Sequence, residues 1–139
     1  MIGIDPWDNY ESSKYYDPVA EYADYSFWNA IDLKGLYRTY CNILRENRLE
    51  NQVITLVTTS EKAISLIPPI DILYIDGGHS EEVTTLDVAL YLPKVRSGGY
   101  IWMNDVIWEQ RQQGVDMLEE ACDFVKTIDD GNCILFKKR

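Results

Sequence analysis

Histidine occurs once in this chain, and basic residues are scarce: 13 lysines and arginines stand against 23 aspartates and glutamates, a formal charge of -10. The sequence pI is near 4.4. Such a chain repels phosphate backbones and anionic lipid, which sets nucleic acid and membrane surfaces aside as partners. Lys137, Lys138 and Arg139 form the one basic cluster, a terminal tail that keeps the last strand soluble. Cys41, Cys122 and Cys133 are odd in number and lack CxxC spacing, so neither a disulfide framework nor a zinc site is indicated. That fits a reducing cytoplasm. With only His79, a two-histidine iron centre is excluded as well. No run reaches the ~18 apolar residues of a membrane span. The start, MIGIDPWDNYES, has acids and a proline where a secretory leader needs a basic patch and an apolar run. A soluble, cytoplasmic protein is expected. No repeat, low-complexity tract or linker interrupts residues 1–139, which predicts one domain.

Hydrophobic residues make up 46% of the chain and aromatics 12%, enough for a real core. Met1 to Ile4 reads as the last half of a strand. Tyr10 to Ile31, rich in Tyr and Asp, reads as a loop with one or two helical turns. Leu36, Tyr40, Ile43 and Leu44 fall at helical spacing and predict an amphipathic helix over Leu33 to Asn47. Gln52 to Thr58 is a β-branched strand, with Ser60 placed to cap a short helix through Leu66. Asp71 to Ile75 is a continuous apolar strand of the type buried on both faces in parallel sheets. Ser80 can cap a helix running to about Leu92 with Val83, Leu86 and Leu90 inward. Ser97-Gly98-Gly99 turns into a strand over Tyr100 to Met103. A helix over Gly114 to Val125, a turn at Asp129 to Asn132 and a final strand over Cys133 to Lys137 complete the pattern. Alternating strands and helices predict an α/β sheet, mostly parallel, with an antiparallel hairpin strand added last.

Ligands bind at the carboxyl ends of strands in open parallel sheets, so polar residues that end apolar runs are the site candidates. Asp76 ends one strand, and Asn104 and Asp105 end another. Their oxygens suit Mg²⁺ or a similar hard cation, with positions left open for a substrate. The alternative is a helix cap at Asp76 and an ordinary polar turn at Asn104-Asp105. His79, three residues past Asp76, is either a general base near neutral pH or a loop histidine hydrogen-bonded to Asp87. Asp5 ends the first strand, where a carboxylate can accept both hydroxyls of a ribose or make Asp-Pro turn chemistry. Trp7 either lies against an adenine or packs under the tyrosine-rich segment. Ser60 touches a base or caps its helix.

Together, IGIDPW, the strand leading to TTSEKAISLI, DILYIDGGHSEEVTTLDV and SGGYIWMNDV resemble the class I S-adenosylmethionine-dependent methyltransferases. The likeness is greatest to the metal-dependent branch of macrocin-type sugar O-methyltransferases and cephalosporin-hydroxylase-like proteins. It spans Met1 to Asp105, and its most specific element is IDGGHS followed by the acid Asp87. The resemblance implies a Rossmann-like sheet in which Asp5 holds the cofactor ribose, Ser60 lines the adenine pocket, and Asp76, Asn104 and Asp105 bind a divalent metal such as magnesium. His79 is implied as the base. The implied reaction moves a methyl group from S-adenosylmethionine to a hydroxyl of a small molecule, with a sugar as the acceptor class. The family's first strand and glycine-rich loop normally precede the IGID strand, so an N-terminally truncated chain is expected. Its open sheet can support a homo-oligomer or a non-catalytic, methyltransferase-like interaction module.

Overall fold

The computed structural model describes residues 1–139, which form two compact units, Met1–Ala63 and Ile64–Arg139. No helix is long and apolar enough to cross a membrane.

In the first unit, β1 (Ile2–Ile4) runs parallel to β2 (Ile54–Leu56), with Gly3 opposite Thr55. The segment expected as a loop instead holds two helices, α1 (Asn9–Ser13) and α2 (Tyr22–Ala30). Capping supplies what periodicity does not show. Asp8 accepts from the Glu11 N–H at the start of α1, and Asn9 Nδ2 donates to the Trp28 and Ile31 carbonyls at the end of α2, groups that a helix leaves unpaired. The predicted amphipathic helix is α3 (Leu33–Glu46), capped by Asp32 through the Gly35 N–H at 2.8 Å. A Cβ at Gly35 would come 2.2 Å from Asp32 Oδ2, so a side chain there would make the capping carboxylate shift. Tyr40 of α3 shares a 2.8 Å hydrogen bond with Thr55 of β2. The unit closes on α4 (Ser60–Ala63). Its cap is Thr59 rather than Ser60: the Thr59 hydroxyl accepts from the Lys62 N–H and its carbonyl from the Ala63 N–H.

The second unit is a four-stranded sheet in the order β3-β4-β6-β5, where β3 is Ile70–Ile75, β4 is Val95–Met103, β5 is Cys122–Ile128 and β6 is Cys133–Lys138. β3 and β4 are parallel, and the other neighbours are antiparallel. The Rossmann-like α/β expectation thus holds as parallel strands joined by antiparallel ones. The sequence had the helix before β5 running to Val125; α6 (Gln112–Ala121) ends sooner. Residues 122–128 instead pair with β6 across the turn at Asp129–Gly131, where Asp129, Asp130 and Gly131 all have positive φ. One face of the sheet buries Ile75, Ile101, Met103 and Phe136 against Val88 of α5 (Glu81–Tyr91) and Val115 and Leu118 of α6. The other face carries Ile72, Tyr74 and Tyr100, all exposed, so β3 is buried on one face and not on both as expected, because α5 and α6 pack on the same side of the sheet.

Ser80 caps α5 as expected, accepting from the Val83 N–H. The inward stripe differs from the predicted one: Thr84, Asp87, Val88 and Tyr91 are buried, while Val83, Leu86 and Leu90 are only partly covered. The helix turns a partly polar face inward because a buried arginine, Arg111, meets it there, and its Nη1 donates to the Thr84 hydroxyl at 3.2 Å. Burial, and then the Asp87 charge, pushes the Tyr91 hydroxyl up to about 12 from 10.0. Its proton is therefore held more tightly in the folded than in the unfolded chain. The associated stability is complete below pH ~10 and is lost as pH rises toward ~12. Urea unfolding at pH 9 and pH 11 will show this loss, and Tyr91→Phe will reduce the pH dependence.

Candidate functional site

The ends of β3 and β4 place Asp76 and Asn104 side by side, because the parallel ladder continues past the strands through the Asn104 N–H to the Ile75 carbonyl at 3.0 Å. Asp105 then adopts φ 55, the left-handed conformation that aspartate tolerates better than most residues. The turn carries its carboxylate back toward the Asp76–Ser80 loop. As a result, ligand atoms of Asp76, His79 and Asp105 all lie within 4.8 Å of one another. His79 Nε2 is 3.1 Å from Asp105 Oδ2, and the Trp108 ring lies 5.0 Å from the imidazole. Gly77, between Asp76 and His79, has the Asp87 carboxylate so close that a Cβ would come 2.6 Å from it.

Each carboxylate is braced. Asp76 accepts from Asn104 Nδ2 at 2.9 Å and from the Tyr74 hydroxyl at 3.2 Å. Asp105 accepts from Asn104 Nδ2 at 3.0 Å and from Asn132 Nδ2 at 3.0 Å. The Tyr74 ring is half exposed, yet its hydroxyl is pushed up to about 12, by burial first and by the neighbouring Asp76 charge second. It therefore remains a donor at neutral pH.

Asn104 sits in the cluster in a different posture from the one expected of a metal ligand. Its side-chain carbonyl, the atom able to ligate, accepts from the Cys133 thiol at 2.8 Å, and its amide nitrogen faces both acids. An amide bridging two carboxylates lowers their mutual repulsion and fixes their spacing. Replacing Asn104 with alanine is expected to weaken Mn²⁺ binding about 10–100-fold, as loss of an outer partner of a metal ligand typically does; titration calorimetry measures it. The two carboxylates, half open to solvent with the imidazole beside them, are hard oxygen donors that fit a divalent cation such as Mg²⁺ or Mn²⁺ with free positions.

The other expected site residues lie in the first unit. The Asp5 N–H continues the β1–β2 ladder to the Leu56 carbonyl, and its carboxylate accepts the Trp7 N–H at 2.6 Å. Burial raises the Asp5 carboxyl from its ordinary value, with the Trp7 N–H opposing, although the residue keeps an exposed flank. Trp7, at φ 49, lies with its ring 5.4 Å from both Tyr37 and Tyr40, residues of α3. Ser60 opens α4. The sequence reading missed Tyr74, Asn132, Cys133 and Arg111 as neighbours of the cluster. Only Tyr74, two residues before Asp76 on one strand face, carried a local signal.

The chain is similar in fold to several solved structures. The O-methyltransferase NovP is 17% identical, with 99% of this chain and 59% of that one aligned at a TM-score of 0.64. CalS11, a TDP-rhamnose 3'-O-methyltransferase of calicheamicin biosynthesis, is 11% identical over 98% of this chain and 57% of its own, TM-score 0.55. Aeropyrum pernix fibrillarin with natively bound S-adenosyl-L-methionine is 18% identical over 73% and 51%, TM-score 0.52. The chain thus spans about 59% of the length of NovP. No curated protein sequence matches it significantly. A family model described as a methyltransferase domain matches residues 1–106, and the chain belongs to that family of methyltransferase domains.

Proposed function

We propose that this chain carries the transfer site of an S-adenosylmethionine-dependent O-methyltransferase that acts on a hydroxyl of a neutral small molecule, with sugars as the acceptor class. The observation that carries the reading is the convergence of Asp76, His79 and Asp105 at the ends of two parallel strands. Membership of the methyltransferase-domain family supports it, as does the likeness to a structure named as an O-methyltransferase, NovP. The acidic chain favours an uncharged acceptor over a phosphorylated one.

In this reading Asp76 and Asp105 hold the cation, and Asn104 holds the two acids in register. S-adenosylmethionine would supply an electrophilic methyl group and leave as S-adenosylhomocysteine, and a divalent ion held there would lower the pKa of the acceptor hydroxyl. His79 accepts the hydroxyl proton, and the Asp105 carboxylate beside it stabilises the imidazolium. Trp108, lying against the imidazole, restricts its rotation and shields one side from water. Asp5, with Trp7 and Ser60, is assigned to the adenosine part of the methyl donor.

The test is methyl transfer from labelled S-adenosylmethionine to a panel of neutral sugars, with and without chelator, alongside calorimetry of S-adenosylmethionine binding. Transfer that stops in chelator and returns with Mg²⁺ is the expected outcome. Absence of cofactor binding would sink the methyltransferase reading, and turnover indifferent to chelator would remove the metal from it.

A further inference from the structure

Arg111 is completely buried, and the reaction proposed above gives it no role. Removing a guanidinium from water is costly unless its donors are met, and an apolar side chain of similar volume would fill the space without that cost. What the guanidinium makes possible is a double contact at one junction. Its Nη2 donates to the Gly77 carbonyl at 2.9 Å, and its Nη1 donates to the Thr84 hydroxyl on α5 at 3.2 Å. Gly77 lies between Asp76 and His79 in the loop that carries both.

Arg111 also belongs to the segment that follows Asp105. Its own N–H closes on the Trp108 carbonyl at 3.0 Å, and the Trp108 N–H closes on the Asp105 carbonyl at 3.2 Å. The segment therefore reaches the Asp76–Ser80 loop at two places: Trp108 lies against His79, and Arg111 holds Gly77. The Asp87 carboxylate packed on Gly77 leaves the loop little room to shift.

We propose that Arg111 is a positioning residue, which fixes the Gly77 carbonyl and thereby presents Asp76 and His79 to Asp105 without touching substrate or cation. The inference rests on the proposed role of that cluster. A planar fork can serve a carbonyl and a hydroxyl together, whereas a lysine ammonium is a single point on a flexible stem.

His79 is the only histidine, so ¹⁵N-histidine labelling gives one imidazole signature, read at fixed pH. Arg111→Met is expected to shift that resonance and to weaken Mn²⁺ binding, measured by calorimetry, about 10–100-fold. Arg111→Lys and Thr84→Val should change both in the same direction by less. A cooperatively folded Arg111→Met protein with wild-type His79 resonance and Mn²⁺ affinity overturns the proposal. If Arg111→Met does not fold, the two milder variants decide: an unmoved His79 resonance in both overturns it, and a shifted one supports it. If the unmodified protein binds no Mn²⁺, the metal reading fails, while the His79 resonance still reports whether Arg111 sets the loop.

Discussion

Asp105→Ala will remove divalent-cation binding and lower methyl transfer by about 10³-fold or more, equivalent to several kcal/mol of transition-state stabilisation. The size follows from how much converges on this one carboxylate. Asn132 holds one oxygen, and Asn104 and His79 share the other. Alanine would strip the cluster of a ligand, leave two amide donors without their acceptor and release the partner that stabilises a protonated His79. Mn²⁺ titration followed by electron paramagnetic resonance separates loss of binding from loss of chemistry, and circular dichroism checks that the fold persists. Wild-type Mn²⁺ affinity in a folded Asp105→Ala protein contradicts the assignment.

Phe136→Ala is expected to cost the second unit about 3–5 kcal/mol, the range for truncating a fully buried phenylalanine. Phe136 has no exposed surface and lies opposite Ile101, itself fully buried, under α5 and α6. β6 is also the strand that joins β4 to β5. A cavity there loosens the interior position against which both helices rest, and typical domain stabilities of about 5–15 kcal/mol leave little reserve. Urea unfolding measures it; a cost below about 1 kcal/mol would mean that this core position collapses freely or is not the core.

The parts legible in the sequence were those where a local pattern and the tertiary demand agree. β3 is a continuous apolar run, Ser80 caps α5, and Asp129 to Asn132 makes the final turn. Asp76 and Asp105 could be singled out because each ends an apolar strand, and the parallel pairing of those strands does bring them together. What a local pattern does not show rests on partners distant along the chain. Asn104, expected as a ligand, donates to both acids, and Cys133, on another strand, meets its carbonyl. The inward stripe of α5 was drawn through Val83, Leu86 and Leu90 alone; the arginine that meets Thr84 is 27 residues on, in the polar stretch WEQRQQG, which looks like surface. Residues 122–125 continue an amphipathic helix on paper, and only pairing with β6 makes them a strand. The tyrosine-rich segment hides α1 and α2 because α2 buries no side chain and so has no stripe to read.

The most direct test of the account is the Mg²⁺ dependence of methyl transfer to a sugar hydroxyl after exhaustive chelation, in the unmodified protein and in Asp76→Ala. Chelation is expected to abolish transfer, Mg²⁺ to restore it saturably in the unmodified protein, and Asp76→Ala to stay inactive. Full turnover in chelator, or restoration of Asp76→Ala to the unmodified rate, would contradict the assignment of Asp76, His79 and Asp105 as a metal-assisted transfer site.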